Sequence, residues 1–505
     1  LSANRSIATS ALFNLLGGAA PALVTIFTIP YIVHQLGDAS YGVLTLITSI
    51  IGYFAILDIN ATAGSVKFVA HHHAKGAERE TYETITFGLA LYLVIGLTGM
   101  AGIYLARDFL VEHIFNVPQA LRGQSALALK WGGLGFLLGQ MQTYLQSVPQ
   151  ALQRYDISGR VEATFGALVP LATVAVLVAG GGLVEVVIVR VAGSALHAIT
   201  LCVAIKKMMP NFLLSMPGAQ TRQGIMSFSL YSFLSRLAAI TYAHADKLLI
   251  GAMVGVNQVA YFSVASTLAN RVLALTGRLS GVIFPAASAM AARNQDAQLK
   301  ALYLDSSRYL AFINGVVVLL LAAFAEPILT VWMGKEFASH GATVMSIIAI
   351  AQLVDSLTNL PSLVNDGLGH PRVSGFFAIS RALLGLALLA GLILAIGTSG
   401  AAWGHLVASV VMTTAFVAYV HGRTVPVALA EWLALSLRPA FTALLLATLV
   451  ALVLRYLISP TWPGLIGASA VTLCVSIYFG WRFLVSAQHK QLATLKLLNR
   501  VRRRS

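Results

Sequence analysis

Apolar residues fill this chain in runs too long and too regularly spaced for a water-soluble core. Read in windows of about 19 residues, they predict spans at 9–33, 41–66, 84–106, 124–151, 161–180, 184–205, 225–252, 258–290, 308–331, 341–365, 375–397, 400–421, 432–457 and 463–486. At ~1.5 Å per residue such runs cross a hydrocarbon layer roughly 30 Å thick. Backbone in lipid must satisfy its own hydrogen bonds, and a helix does so within one segment. The expected fold is an all-α polytopic membrane protein with about fourteen transmembrane helices.

Composition agrees, with 58% hydrophobic and only 10% charged residues. The net charge of +15 would suit nucleic acid if it formed one basic face, but the cations lie in the connections between apolar runs. Lys75 and Arg79, Arg154 and Arg160, Lys206, Lys207 and Arg222, Arg293 and Lys300, Arg372, and Arg423 mark alternate connections, whereas 34–40, 254–258 and 397–400 contain no Lys or Arg. This positive-inside pattern places both termini in the cytoplasm, with a basic tail at 488–505, and makes an anionic leaflet the expected partner rather than nucleic acid. Insertion through an uncleaved first helix is expected. The two cysteines, Cys202 and Cys474, each fall inside a span and indicate neither a disulfide framework nor a metal site. The run His71–His73 is expected to be a solvated cytoplasmic connection, because adjacent side chains diverge and no second cluster supports a metal.

Weak internal repetition divides the chain. Gly37 and Tyr41 match Gly255 and Tyr261, while Pro149 with Ser158 and Gly159 matches Pro361 with Ser374 and Gly375. The reading is a six-helix bundle over 1–210, a second over 222–424, an appended helix pair over 430–487 and the basic tail. Six spans per half make the halves parallel repeats about an axis along the membrane normal.

Charges placed mid-span are costly, roughly 2.5 to 3.5 kcal/mol on insertion scales, and therefore mark functional sites. Arg236 and Arg271 lie near the midplane, and with Lys247 and Arg278 they form basic, hydroxyl-bearing stripes suited to an anionic, diphosphate-like ligand. Asp58, Asp246 and Asp355 are candidates for coupling to H+ or Na+, or for neutralising those cations. Pro21 and Pro30 can kink the first helix. Motifs for phosphate-loop, serine-hydrolase or zinc chemistry are lacking, so no catalytic residue or cofactor is expected.

The stretch FNLLGGAAPALVTIFTIPYIVHQLGDASYGVLTLITSIIGYFAILDIN (13–60) resembles the first two helices of Wzx-type polysaccharide repeat-unit flippases, and ADKLLIGAMVGVNQVAYFSVAS (245–266) is similar to their seventh and eighth. These belong to the multidrug/oligosaccharidyl-lipid/polysaccharide exporter superfamily. The resemblance implies a multi-pass protein of the bacterial inner membrane. It would flip an undecaprenyl-diphosphate-linked oligosaccharide from the cytoplasmic to the periplasmic leaflet for O-antigen, capsule or exopolysaccharide assembly, beside a polymerase and other assembly proteins. Arg271, then Arg236, best match the diphosphate-holding arginines of related flippases, although helix one lacks an Arg beyond Arg5. The rival within the superfamily is a multidrug/cation antiporter, which would want acids where this chain has cations. A polyprenyl transferase would need a larger external domain than 107–123 allows.

Overall fold

The computed structural model describes residues 21, 23–57, 61–215, 218, 237–238, 240–280, 290, 293 and 295–484. Among them are helices and turns but no strand. The helices are α1 (Leu23–Leu36), α2 (Asp38–Leu57), α3 (Ala61–Ala74), α4 (Glu78–Ile114), α5 (Arg122–Ala151), α6 (Tyr155–Val178) and α7 (Leu183–Met208). There follow α8 (240–253), α9 (Val256–Ala269), α10 (Arg271–Ser280), α11 (Asp296–Ala323), α12 (Ala325–Met333), α13 (Lys335–Ser356) and α14 (Asn359–Gly367). The last four are α15 (Pro371–Ile396), α16 (Thr398–Arg423), α17 (Leu429–Leu457) and α18 (Trp462–Phe483). Ten helices among the described residues are long and apolar enough to cross a bilayer. The span expected at 258–290 is interrupted at Asn270, and the one at 341–365 breaks after Ser356.

The chain gathers into two compact units, Leu1–Ser263 with Leu389–Thr398, and Val264–Leu388 with Ser399–Ser505. In the first, Val69, Ile85, Tyr92, Tyr144, Leu145, Val148, Leu201 and Ile205 join α3, α4, α5 and α7 in one core. Helices in lipid gain no hydrophobic drive toward each other, so close backbone approach at small residues matters. Gly88 faces the Tyr144 ring so closely that a Cβ there would lie 2.1 Å from its Cζ. The buried Tyr144 hydroxyl is then held by Ser65 Oγ at 2.8 Å and donates to the Ile85 carbonyl at 3.1 Å.

In the second unit α17 docks on α11 and α16 through Tyr303, His421 and Trp432. His421 Nδ1 lies 2.8 Å from the Val417 carbonyl, which can only accept, so Nδ1 carries the proton and the Tyr303 hydroxyl donates to Nε2 at 3.0 Å. The Trp432 ring packs on the imidazole, and Lys300 pairs with Glu431 at 2.7 Å.

The repeated turns share backbone geometry. Positive φ recurs at Gly37 (76°) and Gly255 (135°), at Gln153 (59°) and Gly369 (93°), and at Gly180 (88°) and Gly397 (65°). The paired connections are tied alike, since Gln146 Nε2 donates to the Ser158 carbonyl at 2.9 Å and Ser362 Oγ to Ser374 Oγ at 3.1 Å. Both bonds span twelve residues, so each closes the same turn between two helices.

His71–His73 form the last turn of α3. Burial, then the neighbouring His71, hold His72 below the usual histidine range. No group of three or more potential ligands for a metal occurs among the described residues.

Candidate substrate site

A cavity of about 200 Å³ opens inside the first unit, lined by Tyr41, Leu44, Thr45, Thr48 and Ser49 of α2, Arg190 of α7, Ala243, His244 and Lys247 of α8, and Ser263 of α9. The α2 positions recur at helical spacing, which puts their hydroxyls on one face. Arg190 comes seven residues after the start of α7, roughly 10 Å along its axis. Its Nη1 donates to Thr48 Oγ1 at 3.3 Å, and that hydroxyl spends its own proton on the Leu44 carbonyl at 2.8 Å. No carboxylate pairs with Arg190 among the described residues.

Lys247 enters the lining from α8. Its Nζ lies 3.2 Å from Asp246 Oδ1 and donates to the Ala243 carbonyl at 3.3 Å. One turn earlier the His244 ring rests on Gly52, where a Cβ would fall 2.3 Å from Cε1. Two cations, an imidazole and several hydroxyls thus converge on a small space with one nearby acid. Such a lining can bind a compact anion through charge-assisted hydrogen bonds.

A tight seam beyond the cavity holds α8 and α9 to α2. The Tyr261 hydroxyl donates to Asp38 Oδ2 at 2.7 Å, and Gly42 sits so near the Val256 carbonyl that a Cβ would lie 1.9 Å from its oxygen. Asn116 adds bonds from its backbone N–H to the Gly251 carbonyl at 3.2 Å and from Nδ2 to the Ala252 carbonyl at 3.1 Å. Thr398 Oγ1 donates to Gln258 Oε1 at 2.9 Å.

The sequence-derived candidates are distributed unevenly over this geometry. Lys247 lines the cavity, with Asp246 buried beside it. Arg236 and Asp58 lie outside the described residues, as does the side chain of Arg278. Arg271 is exposed at the first residue of α10, in the second unit. Asp355, also in the second unit, is buried and ion-paired with Arg381, which donates to Ser409 Oγ at 2.8 Å. One turn away on α13, Gln352 Nε2 donates to Asn270 Oδ1 at 2.6 Å.

This pairing predicts a specific mutational pattern. Removing one partner of a buried ion pair leaves the other charge uncompensated and costs roughly 3 to 5 kcal/mol, whereas removing both costs less. Arg381→Gln and Asp355→Asn should each lower the melting temperature of purified protein more than the double variant does, as read by thermal denaturation. Additive losses would contradict the pairing.

Arg190 and Arg381 escaped the sequence reading, although both are ionised groups inside apolar runs, the same signal that marked Arg236 and Arg271. Tyr41, Thr45 and Thr48 carried no such signal, because hydroxyls are ordinary within helices.

The fold is that of a multi-pass α-helical membrane protein. Its fold is similar to that of an inward-facing multidrug resistance MATE family transporter (TM-score 0.72, 13% identity, 81% of this chain and 98% of that one) and of the lipid II flippase MurJ in an inward closed conformation (TM-score 0.74, 12% identity, 94% and 98%). Residues 35–341 match the family described as "Polysaccharide biosynthesis protein", and the chain belongs to it. Curated relatives are the uncharacterized membrane protein EpsK of Bacillus subtilis (strain 168), 21% identical over 69% of each chain, and a putative O-antigen transporter of Shigella flexneri, 19% identical over 79% of this chain and 93% of the relative. The resemblance to Wzx-type flippases read from residues 13–60 and 245–266 is borne out, and the protein is a multi-pass transporter of the bacterial inner membrane acting in polysaccharide biosynthesis.

Proposed function

We propose that this protein flips an oligosaccharide linked through a diphosphate to a polyprenyl lipid, from the cytoplasmic to the periplasmic leaflet. The observation that carries this reading is Arg190, a guanidinium within an apolar helix whose one hydrogen-bond partner among the described residues is the Thr48 hydroxyl. A cation at such depth is costly without an anion, and a diphosphate is the anion that a lipid-linked glycan brings. Lys247 faces the same cavity and supplies a second positive contact. The cavity, at about 200 Å³, suits the diphosphate, so the glycan and the lipid tail extend beyond it. Arg271 and Arg236 remain candidates for contacts elsewhere along the route.

A cation-exporting antiporter would instead place unpaired acids in the cavity; the acid beside this one, Asp246, lies within 3.2 Å of Lys247. Depleting the protein in its native cell should accumulate lipid-linked oligosaccharide in the cytoplasmic leaflet, where an added glycan-binding probe cannot reach it in intact spheroplasts. Probe access equal to that of the wild type would sink the flippase reading.

A further inference from the structure

The fixed charges around the cavity do not match the diphosphate that the proposed function places there. Among the described residues Arg190 and Lys247 contribute two positive charges, and Asp246, against Lys247 at 3.2 Å, removes one. A diphosphate esterified at both ends, by lipid and by sugar, keeps one strongly acidic hydroxyl on each phosphorus and so carries two negative charges throughout the physiological pH range. Among the described residues one positive charge is missing.

His244 is placed to supply it. The imidazole lines the cavity from α8, its ring seated on Gly52 of α2, and no protein group hydrogen-bonds its ring nitrogens among the described residues. Among the described residues, the titratable and charged groups that line the cavity with it or act on it are Lys247 and Asp246 on its own helix, Arg190 from α7 and Tyr41 from α2, and α9 adds the neutral Ser263. Burial and the neighbouring positive charge of Lys247 oppose a further cation on this ring. An anion lodged among them reverses that opposition, because its own field favours a charged imidazole.

Resting on the flippase reading, we propose that His244 is the proton-binding residue of the cavity and takes up one proton from solvent when a doubly charged diester diphosphate binds. The imidazolium then donates an N–H to a phosphate oxygen while Arg190 and Lys247 hold the remainder. Gly52 is the positioning residue, since a side chain there would push the ring off its seat. Binding and protonation are linked, so each strengthens the other by the same factor. A single imidazole thereby makes head-group affinity sensitive to pH in the range where histidine titrates.

Calorimetry on the full chain in nanodiscs tests this, using as probe a water-soluble diester diphosphate with one short prenyl chain and one sugar. Its charge is constant from about pH 5.5 to about pH 8, a window that brackets the unperturbed histidine value, so any pH dependence belongs to the protein. The wild type should bind about tenfold more tightly at the acid end, within the usual range for coupled sites, and show proton uptake when titrated in buffers of different ionisation enthalpy. His244→Gln should bind with the weaker affinity at every pH and take up no proton. His244→Lys, permanently charged, should bind tightly at both ends of the range. Wild-type binding that is flat with pH, or pH dependence surviving in His244→Gln, overturns the role of His244 while leaving the cavity as the diphosphate site. Absence of binding at every pH overturns both.

Discussion

Arg190→Ala is expected to lower polymer export at least tenfold while the protein remains in the membrane at its normal level. The side chain spans from α7 to the Thr48 hydroxyl on α2 and has no other hydrogen-bond partner among the described residues. Its loss therefore breaks little protein structure. What disappears is a charged contact to the cargo, and hydrogen bonds to charged groups contribute about 1.5 to 3 kcal/mol each, equivalent to roughly ten- to hundredfold in binding. Arg190→Lys keeps the charge but loses the planar fork, so it should fall between the two. Thr48→Val, which removes only the orienting hydroxyl, should cost less than either. Export measured by surface-polysaccharide staining, beside an immunoblot for protein amount, separates these cases. Wild-type export by Arg190→Ala would remove Arg190 from the site.

Gly42→Val should abolish export by a different route. A Cβ at this position would stand 1.9 Å from the Val256 carbonyl oxygen and 2.6 Å from its carbon, both backbone atoms that cannot rotate away. The seam between α2 and α9 must open, and Asp38 and Tyr261, joined at 2.7 Å, separate with it. Even Gly42→Ala meets the same atoms and should fail nearly as badly. Gly37 provides the contrast. It has φ of 76° and ψ of 159°, a region open in practice to glycine alone, but nothing within 4 Å of an added Cβ, so Gly37→Ala costs only backbone strain, about 1 to 3 kcal/mol. Export and thermal stability measured together distinguish a closed contact from a strained turn. Equal loss in both variants would mean that the seam is not specific.

Helix class and membrane insertion were legible because lipid imposes a simple rule on composition and run length. The turn repeats were legible for a related reason. Gly37 and Gly255 stand where the backbone takes positive φ, a demand that only a few residue types meet without cost. Gln153 meets the same demand as Gly369 without being glycine, so a match by residue type alone passes over that pair. The expected basic stripe was legible only in part. Lys247 and Asp246 stand out as charges near the outer end of a span, and Arg190 is likewise an ionised group inside an apolar run. Its hydrogen-bond partner Thr48, by contrast, is separated from it by 142 residues of sequence.

The sequence by itself determined that this chain lives in a bilayer and that its spans are helical. These follow from solvation, which acts on each residue where it stands. Only the tertiary structure decided which cation shares a cavity with which hydroxyl, that Asp355 is held by Arg381, and that His244 rests on Gly52 beside Arg190 and Lys247. Those facts depend on how closely helices approach at Gly42, Gly52 and Gly88, a matter of contact between surfaces that no periodicity along one helix encodes.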